Sequence, residues 1–319
     1  MKRMAVLMLC CLLLLGCGKK ANREEAAQEQ EAAASATAEP LAASTPELTP
    51  TPAPTSAPTP TPTLTPTAEP APTPLFVLKT EGGNDLIING DLYDSFTETR
   101  FSLTEPPVVL IYHTHAEEAY RQTRRYTYEE TGEGTYKTLD KTRSVVALGE
   151  LLKTELERRG FTVIHDDTDV EPPELLSAYS RSLEVMEKYP EALIYIDLHR
   201  NTANVKMKRD DVVEIDGKRI ARMFFVVGTS VGTYEGEYDT HHDWQKNYAL
   251  AKAITERLRA VDGGLALDIR LKVGRYNQHV SPYCLLVEVG HNANTFEDAE
   301  NAIPYLAQAI AETLVFSKE

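Results

Sequence analysis

The side chains with the most chemical potential are two histidines and two carboxylates that each follow or interrupt an apolar run. His115 and Glu118 form an H-x-x-E pair just after Val108 to Tyr112, His199 follows Ala192 to Leu198, and Glu288 lies inside Leu285 to Val289. A neutral imidazole and a carboxylate three residues apart can converge on one zinc ion, which takes a third ligand and keeps a fourth position for water. With His199 as that third ligand, His115, Glu118 and His199 make a two-histidine, one-carboxylate zinc site. An acid among aliphatics is costly to bury unless it is neutralised, paired or beside a metal. Glu288 is therefore read either as a functional carboxylate or as a structural acid paired with Arg200 or Arg275.

Several neighbours compete for these roles. His113 is the rival ligand: it stands two residues before His115 and, if the strand alternation continues, on the same face. Its other role is to pack beneath the site or to orient a ligand. Glu117 is expected to be a solvated neighbour, while His241, His242 and His291 either line a cleft or simply end and begin elements. Cys284, alone in an apolar strand, reads as a small buried hydrophobe rather than a nucleophile.

Such residues need elements that present them, and the chain supplies strands alternating with helices. Val108 to Tyr112, Phe161 to His165, Ala192 to Leu198, Met223 to Val227 and Leu285 to Val289 read as buried strands, with Ala192 to Leu198 central. Val145, Leu148, Leu152 and Leu156 fall on one helical face that Gly160 stops; Tyr179, Leu183 and Met186 mark a second helix. Trp244, Tyr248, Ala251, Ile254 and Leu258 mark a third, and Thr295 with Asp298 resembles a capping box opening a final helix through Ile303, Leu306 and Ile310. This order predicts an α/β fold, a mostly parallel central sheet with helices on both faces. The candidate residues then sit at carboxyl-terminal strand ends, where open α/β sheets bind their ligands. Residues 75–104 read as lead-in strands, a hairpin or extra strands around Gly82-Gly83-Asn84 and Asn89-Gly90-Asp91. The chain has no internal repeat.

Of the 319 residues, only 105–319 with the lead-in strands are domain-like. Twelve of the 19 prolines fall between Pro40 and Pro74, within a segment, 18–74, that is Ala/Glu-rich and then Thr/Pro-rich. Such sequence buries too little apolar surface to fold, so it reads as a stalk, reaching on the order of 100 Å at about 3.1 Å per residue. Lys2 and Arg3 precede the short apolar stretch Ala5 to Leu15, and Leu14-Leu15-Gly16-Cys17 resembles a bacterial lipobox. That predicts a signal peptide over 1–17, a lipidated Cys17 and a protein anchored at the extracytoplasmic face of the cell membrane; the alternative is an uncleaved N-terminal anchor. The net charge is −15, and residues 75–319 carry 41 acidic against 28 basic residues, net −13, which argues against a nucleic-acid partner.

Taken together, Val109–His115 with Glu118 and Tyr120, His165-Asp166, Tyr179–Leu183, Asp197–Arg200, Phe225–Thr229, Arg275–His279 and Glu288–Gly290 resemble the stage II sporulation protein P family. The likeness runs over roughly residues 105–315 in the expected order. It implies a zinc amidase-like fold and a peptidoglycan hydrolase, a zinc N-acetylmuramoyl-L-alanine amidase that removes stem peptides from glycan strands in sporulation (engulfment) or cell-wall remodelling, with cross-link cleavage left open as a second activity. It further implies zinc on His115, Glu118 and His199, catalysis by Glu288, and a cleft segment of Arg275, Asn277, Gln278 and His279. The implied partners are peptidoglycan, a stage II sporulation protein D-like lytic transglycosylase and a membrane scaffold. Ala119, Asn201, His291 and Ala293 depart from the family's usual residues. A zinc carboxypeptidase or D,D-peptidase would use the same ligands, and a silent, lipid-anchored wall-binding module would keep the cleft without turnover.

Overall fold

The computed structural model describes residues 79–81, 85–87, 90–171, 178–202, 211–229, 243–272 and 274–317. The signal segment, Cys17, the stalk and the His241–His242 pair lie outside these residues. In chain order the elements are β1 (Lys79–Glu81), β2 (Asp85–Ile87), α1 (Gly90–Ser95), β3 (Phe101–Leu103), β4 (Val108–Tyr112), α2 (Val145–Glu157), β5 (Thr162–His165) and α3 (Ala178–Glu187). There follow β6 (Ile194–Asn201), β7 (Val212–Ile215), β8 (Lys218–Ala221), β9 (Met223–Gly228), α4 (Trp244–Val261) and β10 (Arg270–Lys272). The chain closes with β11 (Cys284–His291), α5 (Phe296–Glu300), α6 (Ile303–Thr313) and β12 (Leu314–Phe316).

The main sheet has the order β1-β2-β10-β9-β11-β6-β4-β5 among the described residues. Its site-bearing half, β11, β6, β4 and β5, is parallel throughout. Beyond β11 the direction reverses: β9 is antiparallel to β11 and parallel to β10, and the β1–β2 hairpin adds antiparallel strands at the edge. The fold is therefore the predicted α/β class. The second half of the sheet carries reversals that short strands such as Arg270–Lys272 give little sequence pattern to announce.

Strand alternation splits the core in two. Val109, Ile111, Ile194, Ile196, Leu198, Leu285, Val287 and Val289 face one large cluster, where α2, α4 and α6 supply Leu148, Leu152, Ile254 and Leu306. Leu110, Tyr112, Tyr195 and Cys284 face the opposite side, with Val185 and Met186 of α3. Helices thus cover both faces. Each fully buried leucine contributes on the order of 1.5–3 kcal/mol of transfer free energy, so the leucine stripe of α2 is a main anchor of the layer. Ser144 caps α2 by accepting from Val146 N–H, and Gly160, at φ 96°, takes the left-handed conformation that turns the chain into β5.

Two sequence expectations are corrected here. The Thr295–Asp298 capping box is present, but it opens only the five-residue α5. The chain turns at Asn301 and Ala302 and restarts as α6 with Pro304 in its first turn, because proline has no N–H to continue a helical ladder. Gly90 and Asp91 open α1 rather than a strand, while Gly82-Gly83-Asn84 and Asn89 lie outside the described residues. A β7–β8 hairpin, which the apolar runs do not suggest, turns at Asp216 and Gly217, both at positive φ.

Candidate metal centre

β4 stops at Tyr112, and the next residues leave the sheet in a turn closed by Glu118 N–H donating to His115 O at 3.2 Å. This turn swings His115 and Glu118 over the carboxyl end of β6. There His199 sits with Nδ1 3.4 Å from Glu118 Oε2, and its ring lies 5.3 Å from that of His115, nearly perpendicular. Glu288 is the direct ladder partner of His199 on β11, and by alternation both project to the α3 side. The four predicted residues are therefore brought together at one sheet edge.

Several of their atoms lack protein partners. His115 Nδ1 and Glu288 Oε2 are buried without a hydrogen bond, and His199 Nε2, although 2.7 Å from Asp197 Oδ1, lacks hydrogen-bond geometry. Orphaned buried donors and acceptors are rare in proteins, and an ion, a water or a catalytic role accounts for them. Two imidazoles and a carboxylate around such a spot are a donor set that suits zinc. Among the described residues, the group whose ligand atoms all lie within 4.8 Å of one another is Glu117, Asp169 and Glu171, and the atoms of His115, Glu118 and His199 are spaced more widely than that. The acidic group is all carboxylate, a set suited to hard cations, and Lys137 Nζ already pairs with Glu171. Glu117 is thus no solvated neighbour: it is half-buried, and burial with the adjacent Glu171 and Asp169 raises its pKa.

The electrostatics distinguish the two acids. Burial opposes ionisation of Glu118, but Arg200 and His199 outweigh it and hold the carboxyl down at about 2. Burial pushes Glu288 up to about 7, with Glu118 adding to the rise and His199 and Arg200 opposing it. One carboxyl is thus held ionised and the other near neutrality, a division acid–base chemistry uses. Burial also opposes a charged His199, yet Asp197 and Glu118 outweigh it and raise the ring well above its ordinary range.

His113 is resolved by strand parity. It keeps the parity of Val109 and Ile111 and faces Gly149 on the α2 side; the alternation breaks after it, in the turn that carries His115. There Leu198 O can only accept, so Nδ1 donates to it at 2.9 Å, and Nε2 meets His165 Nε2 at 3.0 Å. His165 Nδ1 continues to Glu150 Oε2 at 3.1 Å. Burial and then His165 push His113 down to about 3, a neutral imidazole. Gly149 is a requirement of this arrangement, since a Cβ there would lie 2.5 Å from His165 Nε2 and 2.7 Å from His113 Nε2.

The Arg275–His279 segment divides. Gln278 accepts from Gly228 N–H and donates to Val226 O, while Asn277 donates to Tyr179 O and Ser182 Oγ, so both amides are spent inside the protein. Asn277 and Tyr276 hold left-handed backbone conformations that these bonds fix. His279 keeps a buried Nδ1 without a partner, and burial followed by Arg275 lowers it to about 4. His291 accepts Ala293 N–H at Nδ1 and faces Asp211 at 3.7 Å through Nε2.

Sequence reasoning passed over Asp197 and Glu171 and offered Arg200 only as a partner of Glu288, whereas Arg200 addresses Glu118. Asp197 accepts Thr114 N–H and Oγ1–H at 2.9 and 2.7 Å and faces His199, the carboxylate–histidine arrangement that orients metal ligands. Its signal was available: like Glu288 it is an acid inside an apolar run. Glu171, 3.6 Å from His115 Nδ1, lies in a polar segment with no such pattern.

These features define an α/β domain with a histidine–carboxylate centre at the carboxyl edge of its parallel strands. The model of the family described as Stage II sporulation protein P matches residues 17–311, and the chain belongs to that family. A curated relative, Stage II sporulation protein P of Bacillus subtilis (strain 168), is 25% identical over 224 residues, 64% of this chain and 50% of the relative. The chain thus aligns with half the length of that protein. Among solved structures, the catalytic domain of CwlV, an N-acetylmuramoyl-L-alanine amidase from Bacillus (Paenibacillus) polymyxa var. colistinus, is 19% identical with a TM-score of 0.38, covering 65% of this chain and 95% of that one. An N-acetylmuramoyl-L-alanine amidase from Clostridium difficile 630 is 13% identical with a TM-score of 0.36, covering 66% and 95%.

Proposed function

We propose that this protein is a peptidoglycan hydrolase, a zinc-dependent N-acetylmuramoyl-L-alanine amidase that removes stem peptides from glycan strands and also cuts cross-links. The observation that carries the reading is the convergence of His115, Glu118, His199 and Glu288 at one strand edge, with buried atoms left without partners. Membership of the Stage II sporulation protein P family supports a wall substrate and a role in sporulation.

In this reading His115, Glu118 and His199 hold the zinc, which when bound supplies Lewis-acid polarisation of the scissile carbonyl and a more acidic water. Glu288 takes a proton from the attacking water at its orphaned Oε2 and returns it to the departing amine. Its raised proton affinity matches that double duty. Asp197 keeps the His199 ring turned for ligation. Arg275 and His279 line the substrate side, and Asn277 and Gln278 keep their segment in place. A Cys17 lipid anchor would hold the domain at the outer face of the cell membrane. A stage II sporulation protein D-like transglycosylase and a membrane scaffold are the partners this reading carries.

The test is mass spectrometry of material released from purified sacculi by the full chain. Free stem peptides beginning with L-alanine, lost on chelation, are expected. Release of terminal D-alanine alone would identify a carboxypeptidase instead, and binding without release would identify a wall-binding module.

A further inference from the structure

Arg200 follows His199 on β6, and its side chain, only 2% exposed, turns back toward the H-x-x-E turn. Its backbone N–H donates to Glu118 Oε2 at 3.0 Å, and its Nη1 lies 3.6 Å from Glu118 Oε1, so one residue addresses both oxygens of the carboxylate. The remaining donors are spent on the chain around Glu118. Nε donates to Ala119 O at 2.9 Å, Nη2 to Tyr136 O at 3.1 Å and Thr135 O at 3.5 Å, and Nη1 to Thr202 Oγ1 at 3.1 Å. Tyr136 O also accepts Ala119 N–H at 2.8 Å. Tyr136 itself holds a left-handed φ of 53°, a conformation that persists only where the surroundings over-determine it.

From this we infer that Arg200 is a positioning residue for the metal centre: it locks Glu118 in its ligating orientation and ties that turn to the strand that carries His199. The inference rests on the zinc reading above. A planar guanidinium with a fixed fork suits this task, because one rigid group must satisfy acceptors on three segments at once; a lysine ammonium would keep the charge but not the fork. A guanidinium of purely structural use would have no reason to be shared with the one carboxylate of the donor set.

Zinc affinity of the full chain, measured by competition against a chromogenic chelator and compared with thermal unfolding of the metal-free protein, tests it. Arg200→Lys is expected to weaken zinc ~10–100-fold, the usual cost of losing a group that supports a ligand. An Arg200→Lys protein that unfolds earlier but binds zinc like wild type would overturn the inference and leave the zinc reading intact. Wild type that binds no zinc would overturn the zinc reading, and this inference with it. Should Arg200→Lys not fold, Thr202→Val removes one anchor of the fork at the exposed end. A smaller loss of affinity in the same direction supports the inference, and unchanged affinity overturns it.

Discussion

A histidine whose two nitrogens are both engaged by protein groups has no lone pair left for a metal, and His113 is in that state between Leu198 O and His165. His115 retains a buried Nδ1 without a hydrogen bond, and His199 faces Asp197 through Nε2 while its Nδ1 meets only Glu118, its proposed co-ligand. Zinc content of purified variants should therefore separate them: His115→Ala and His199→Ala lose the metal, while His113→Ala retains it at reduced thermal stability. Metal lost from His113→Ala and kept by His115→Ala would reverse the assignment. Residue types and spacing singled out His115, Glu118, His199 and Glu288 as a candidate set, and the fold brings these four to one sheet edge. They could not choose between His113 and His115, because the choice depends on where the alternation breaks, and the polar residues after Tyr112 carry no pattern to mark it. Nor could they show that Asn277 and Gln278 face inward, since an amide reads the same in sequence whether it meets substrate or backbone.

Elements with long apolar periods were legible. The α2 face, the α4 face and the strands that became β4, β5, β6, β9 and β11 lie where periodicity put them, within a few residues. What escaped was decided by single residues or by partners distant in sequence. Pro304 cut one expected helix into α5 and α6. Asp216-Gly217, a common hairpin signal, joined β7 to β8 between strands too short and too polar to stand out. β12 and β3 pair in parallel although 211 residues separate Leu103 from Leu314, a contact that no local pattern encodes. Position in the sheet also explains why Glu288 and His199 lie together: β11 and β6 are neighbours, and their register sets the acid opposite the imidazole.

For the whole molecule, the net charge of −15 argues against a nucleic-acid partner. No helix among the described residues is long and apolar enough to cross a membrane. The proposed anchor is Cys17, so Cys17→Ala should abolish incorporation of a clickable fatty acid and shift the protein from the membrane fraction to the soluble one; unchanged labelling would reject lipidation there. The central claim is that Glu288 moves the proton in a metal-centred amide hydrolysis. The direct measurement is the rate of stem-peptide release from purified sacculi by full-length wild type and Glu288→Gln at matched zinc content. The account predicts a fall of ~10²–10⁴-fold, the range for losing a general acid–base group, with zinc and sacculus binding preserved. Full turnover by Glu288→Gln at normal zinc content would contradict it.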